Sequence, residues 1–152
     1  MHPVFKKMNF KGQSPILLWQ APASFQAVLH EMSTLTVFHE TPHAEQNYSY
    51  VLAFLYQQSD LPLVAQQIAG RMEEDCLLWL AYPKKSSKKY KTDLSRDMSW
   101  QPIGDLGFEG VRQVAIDEDW SALRFREARF IKTMKRQSLR AMSEEGKKRT
   151  GQ

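Results

Sequence analysis

The residues best suited to hold a ligand are crowded into one short loop. Lys84, Lys85, Ser86, Ser87, Lys88 and Lys89 follow the apolar run Cys76–Tyr82 and Pro83, and Arg96 lies a little further on. A helix is expected to open near Thr92 or Asp93, with Arg96 one turn in. Ammonium groups, hydroxyls and the free N–H groups of a helix N-terminus form a set that fits an anion. In open parallel sheets, ligands sit beyond the carboxyl ends of strands, where this loop falls. Asp93 and Asp97 put negative charge nearby, and Asp93 also suits a cap, so a solvated surface loop is the competing reading.

Other patterns carry less chemistry. His39-Glu40-Thr41-Pro42-His43 has the letters of a zinc-protease motif, which works only on a helix, where both histidines face one metal. Pro42 inside it and the β-branched stretch before it predict a loop after a strand. Gly104, Gly107 and Gly110 have the wrong spacing for a dinucleotide fingerprint and follow a helix instead of opening one. The first expected strand is followed by Ala21-Pro22-Ala23-Ser24, without the glycines that let backbone approach a phosphate or adenosyl group. That argues against a standard cofactor site. Asp117, Glu118 and Asp119 read as an exposed turn, with Trp120 packing on the sheet. Ser121, His30, Asp97 and Cys76 form no nucleophile–base pair by spacing, and Cys76 on an apolar strand is an inert thiol.

The elements that must position these residues follow from periodicity. Ile16–Trp19 is a short apolar run ended by Pro22, a strand buried on both faces. Phe25, Val28, Leu29 and Met32 fall on one helical face, with Ser24 as the expected N-cap. Residues 35–38 read as a second strand and 50–56 as a third. Asp60 is expected to cap a helix that tolerates Pro62 in its first turn, with Leu61, Val64, Ala65, Ile68 and Met72 as its buried stripe. Residues 76–82 are a fourth strand. A helix from residue 92 is expected to kink at Pro102 and end at Gly107. Residues 111–126 alternate apolar and polar around Asp117–Asp119, predicting an antiparallel hairpin. Leu17-Leu18-Trp19-x-Ala21 echoes Leu77-Leu78-Trp79-x-Ala81 but falls short of a repeat.

The chain has 152 residues, 42% hydrophobic and 25% charged, which suits one soluble globular domain and excludes collagen-like or wholly disordered classes. No run approaches the ~20 apolar residues of a transmembrane helix, and no apolar h-region opens the chain. One cysteine closes no intrachain disulfide and fits a reducing cytoplasm. The net charge of +4 is uneven. Residues 84–91 carry five lysines and no acid, and residues 132–149 are +5, leaving an acidic body. Residues 1–13 read as a basic, irregular extension anchored by Phe5, Met8 and Phe10, residues 14–130 as one α/β domain, and 131–152 as a flexible basic tail. Ile131, Met134, Leu139 and Met142 could form a docking helix there.

Three stretches carry a resemblance: Leu78-Trp79-Leu80-Ala81-Tyr82-Pro83-Lys84-Lys85-Ser86, Asp93-Leu94-Ser95-Arg96-Asp97, and Val111–Ile116 with Trp120-Ser121-Ala122-Leu123-Arg124-Phe125-Arg126. Together they resemble a family of small bacterial proteins of unknown function, specifically over residues 77–126. The resemblance implies a cytoplasmic bacterial protein. In layout, strand 50–56, helix 60–72, strand 76–82, a helix and the hairpin are similar to the second half of class I methyltransferases. That likeness implies S-adenosylmethionine, held in that family by a glycine-rich loop after its first strand.

The fold expected is a three-layer Rossmann-like α/β domain: a mostly parallel sheet with a C-terminal antiparallel hairpin. The expected function is non-catalytic binding of a phosphate-bearing ligand or nucleic acid through Lys84, Lys85, Ser86, Ser87, Lys88, Lys89 and Arg96. Alternatives are a divergent S-adenosylmethionine-dependent methyltransferase, and a module whose tail docks a protein partner. No cofactor, metal or membrane contact is expected.

Overall fold

Four apolar segments become parallel neighbours in the computed structural model, which describes residues 1–131. They are β1 (Ile16–Trp19), β2 (Phe38–His39), β3 (Tyr48–Phe54) and β4 (Met72–Pro83). β5 (Phe108–Ala115) and β6 (Trp120–Glu127) form the expected hairpin. The sheet order is β2-β1-β3-β4-β6-β5, with β6 antiparallel to both its neighbours. The chain leaves β1 toward β2 on one side and returns as β3 on the other. The strand order therefore reverses between β1 and β3, and their carboxyl ends flank a crevice of the kind α/β folds use for ligands.

Strand alternation sorts the side chains into two cores, one on each face. On one side, Leu17, Val51, Ala53, Leu78 and Leu80 pack beneath α3 (Asp60–Ile68) and α4 (Gln101–Gly104). On the other, Ile16, Leu18, Leu52, Phe54 and Trp79 pack beneath α1 (Pro3–Lys7) and α2 (Gln26–Met32). Strands covered on both faces carry no polar alternation, which is why β1 and the end of β4 read as continuous apolar runs. The Leu-Leu-Trp echo is not a structural repeat, since Trp19 faces the first core and Trp79 the second.

Several local expectations are corrected. Residues 3–7, expected to be irregular, form α1, with Val4 and Phe5 buried beside the anticipated anchors Met8 and Phe10. Ser24 caps nothing; a 3-10 turn, Ala23–Phe25, leads into α2. The second strand shrinks to two residues, and Leu35 and Val37 lie exposed at that sheet edge. Asp60 begins α3, but its Oδ2 accepts the N–H groups of Tyr56 (2.8 Å) and Gln57 (3.2 Å) in the turn before it. Met72 belongs to β4, not to the helical stripe.

The largest correction lies after the lysine loop. Residues 92–99 form no helix; only Gln101–Gly104 does, before Gly107 turns the chain with φ +93°. Thr92 explains the change, because its hydroxyl accepts the Leu94 N–H (3.1 Å) and donates to the Tyr56 carbonyl (3.1 Å). Such a local side-chain turn competes directly with helix initiation. The expected docking helix with Met134, Leu139 and Met142 lies outside the described residues. Among the described residues, no helix is long and apolar enough to cross a membrane.

Candidate functional site at the carboxyl ends of the strands

The parallel strands deliver their carboxyl ends to one rim: Gln20 after β1, Glu40 after β2, Tyr56 after β3, and Lys84 after β4. The β1 turn is the informative one. Gln20 adopts φ +52°, a left-handed conformation that glycine takes freely and other residues take at a cost of about 1–2 kcal/mol. The tight turn that sequence reasoning assigned to glycine is therefore made, by Gln20, with the small residues Ala21 and Ala23 behind it. Nothing in the sequence pattern marked Gln20.

Glu40 stands exposed just past β2, twenty residues after Gln20. Its neighbours are fixed. The His39 and His43 rings stack with centroids 3.5 Å apart, and the Tyr48 hydroxyl lies 2.7 Å from His39 Nδ1 while accepting the His43 N–H at 3.1 Å. Burial, and then His43, hold the His39 pKa below its ordinary value, so the imidazole favours its neutral form. The His-Glu-x-x-His letters thus describe a loop anchor, as Pro42 foretold. Among the described residues no group of three metal-ligating side chains occurs.

An aromatic group closes the other flank. Trp120 is fully buried and makes edge-to-face contacts with Phe54, Tyr56 and Tyr90 at centroid distances of 5.0–5.1 Å. Its Nε1 has no hydrogen-bond partner among the described residues. Tyr56 reaches across the crevice and donates its hydroxyl to the Gln20 carbonyl at 2.9 Å. Burial, with Tyr90 and Asp60 adding to it, raises the Tyr56 pKa, so the phenol stays protonated and remains a donor.

The expected loop residues come together only in part. The Ser87 hydroxyl donates to Asp119 Oδ1 (2.7 Å) and accepts the N–H groups of Lys89 and Tyr90, while the Lys84 N–H binds the Asp119 carbonyl (2.8 Å). The loop is thereby tied to the hairpin turn. Lys85, Ser86, Lys88 and Lys89 are exposed, and the Arg96 carbonyl accepts the Trp100 indole N–H. Cys76 is buried, and burial pushes its thiol well above the ordinary range, as an inert thiol requires.

No protein-family profile matches the sequence, and no curated protein matches it. The chain is similar to several solved structures. The pyocyanin biosynthetic protein PhzM is 9% identical with a TM-score of 0.48, over 78% of this chain and 51% of that one. TehB from Haemophilus influenzae is 9% identical with a TM-score of 0.44, over 84% and 62%. The N-methyltransferase NodS from Bradyrhizobium japonicum WM9 is 10% identical with a TM-score of 0.42, over 76% and 86%. The chain spans about half the length of PhzM. The architecture is the expected Rossmann-like α/β sheet, mostly parallel and finished by an antiparallel hairpin.

The expectation of a non-catalytic domain that takes an anion on its lysine loop is corrected, because that loop is tied to the hairpin turn through Ser87 and Lys84. The helix whose N-terminus was to complete the anion site is also not formed, so no helix end gathers N–H groups beside the loop.

Proposed function

We propose that this chain is a divergent S-adenosylmethionine-dependent methyltransferase domain whose methyl donor lies over the carboxyl ends of β1, β2 and β3. The observation that carries this reading is that Gln20 and Glu40 follow the neighbouring strands β1 and β2 on one rim, beside the point where strand order reverses. Gln20 supplies in left-handed form the tight turn that lets backbone approach an adenosyl group, and Ala21 and Ala23 leave room beside it. Glu40 offers an open carboxylate for the two ribose hydroxyls. S-adenosylmethionine, when bound, supplies an electrophilic methyl group on a cationic sulfonium. The Tyr56 and Tyr90 rings offer electron-rich faces to such a cation. Tyr56 also holds the crevice shut through its bond to Gln20, so its side chain must turn aside when the donor enters.

The test is calorimetric titration with S-adenosylmethionine and S-adenosylhomocysteine. The wild-type chain binds both. Glu40→Gln weakens each about 10-fold or more, the loss expected for a charge-assisted hydrogen bond. Absence of binding to either ligand by the wild-type chain overturns the proposal.

A further inference from the structure

Beyond Trp120, the stretches of β5 and β6 that carry the sequence resemblance lie away from the carboxyl-end rim, and the sheet brings three of their arginines to one face. Arg112 and Arg124 are direct partners across the β5–β6 ladder, and Arg126 lies two residues beyond Arg124 on the same face. This is the α1 side of the sheet, since Arg124 also pairs with Trp79 of the second core. Like charges placed directly opposite each other destabilise a sheet unless something lies between them.

The counter-charges present are already committed. Both Asp75 carboxylate oxygens accept from Arg126, at 2.7 and 2.8 Å. Glu109 sits opposite Arg126 in the register, is buried, and is engaged in its own contact. Among the described residues, neither Arg112 nor Arg124 forms a salt bridge. Arg112 is exposed, donates to the Lys7 carbonyl, and lies 5.8 Å from the Trp79 ring centroid. Arg124 is half-buried, and its Nε is a buried donor without a partner among the described residues. Burial, then Arg126, and after partial relief from Asp75 also Arg112, hold the Arg124 guanidinium below the ordinary arginine range. A buried donor beside a facing like charge is the arrangement an oxyanion relieves, and a guanidinium fork matches phosphate oxygens in pairs.

We propose that Arg112 and Arg124 form a binding site for a phosphate group, held between the two guanidinium groups on the α1 side of the β5–β6 hairpin. The site is separate from both the lysine loop and the carboxyl-end rim, and it stands independently of the methyltransferase reading.

Phosphate binding is measured by thermal unfolding and calorimetry at fixed ionic strength, exchanging inorganic phosphate for chloride. Phosphate stabilises the wild-type chain and the Lys88→Gln/Lys89→Gln variant equally. Arg112→Gln weakens phosphate about 10-fold or more, and Arg112→Lys, which keeps the charge but loses the fork, recovers only part of it. Arg112 is exposed, so its variants test the site even where Arg124→Gln does not fold. Parallel titrations with AMP and a short RNA identify the source: tighter binding of AMP points to a nucleotide, tighter binding of the RNA to a polynucleotide backbone. No difference between phosphate and chloride for the wild-type chain overturns the proposal, as does unchanged phosphate binding in Arg112→Gln.

Discussion

The Met8 carbonyl is a buried acceptor that ties the N-terminal helix to the sheet, and it allows a quantitative test of the packing. Two side chains donate to it: Tyr50 through its hydroxyl at 2.7 Å and Trp79 through its indole N–H at 3.0 Å. Both are fully buried, one on β3 and one on β4. Tyr50→Phe removes one hydrogen bond while leaving the carbonyl partnered, so it costs about 0.5–1.5 kcal/mol. Trp79→Phe likewise leaves one donor in place and adds a vacated volume, about 1–3 kcal/mol in all. The double variant strips the carbonyl of both donors and leaves a desolvated oxygen without a partner. That adds a further penalty of about 1–3 kcal/mol beyond the sum of the singles. Urea unfolding followed by circular dichroism on all four chains measures the coupling. A kcal/mol also moves Tm by about 2–4 °C at this size, which thermal unfolding reads independently. If the double variant equals the sum of the singles within about 0.5 kcal/mol, the carbonyl is not held as described, and the reasoning fails.

Other expectations follow from single contacts. Asp75 is held below its ordinary pKa of 3.8, chiefly by its hydrogen bonds to Arg126. Its folded pKa being depressed, it contributes stability above that ordinary value and loses it as pH falls through the folded value. Asp75→Asn should therefore flatten the acid limb of a stability-versus-pH curve, and an unchanged limb would show the pair to be inert. Asp117 Oδ1 accepts the N–H groups of Asp119 (2.8 Å) and Trp120 (2.9 Å) in the hairpin turn. Asp117→Ala should cost about 1 kcal/mol, with amide exchange rising first in residues 116–120. At the crevice, Tyr56→Phe removes the bond to Gln20 that closes it, so S-adenosylhomocysteine should bind about 2- to 10-fold more tightly. Weaker binding by Tyr56→Phe would mean that the hydroxyl contacts the ligand instead.

What the sequence determined by itself is the alternation of strands and helices and the hairpin that ends it. β1 was legible to the residue, because a run buried on both faces leaves no polar position to blur its ends. The hairpin was legible because period-two alternation around three acids admits no helix. The buried face of α3 followed from the spacing of Leu61, Val64, Ala65 and Ile68. Tertiary structure decided the rest. Thr92 is an ordinary cap candidate in sequence; only the Tyr56 carbonyl across the fold draws its hydroxyl into a turn and forestalls the helix. Residues 3–7 became a helix because Phe5 and Met8 find a core formed by strands far along the chain. Gln20 carries no sequence mark of a left-handed turn, and Glu40 gains meaning only when β2 lies beside β1. Arg112 and Arg124 stand twelve residues apart in sequence, and only the register of β5 on β6 sets their charges face to face. Local propensity acts through neighbours in the chain, whereas a site is assembled from groups whose closeness the packed sheet alone creates.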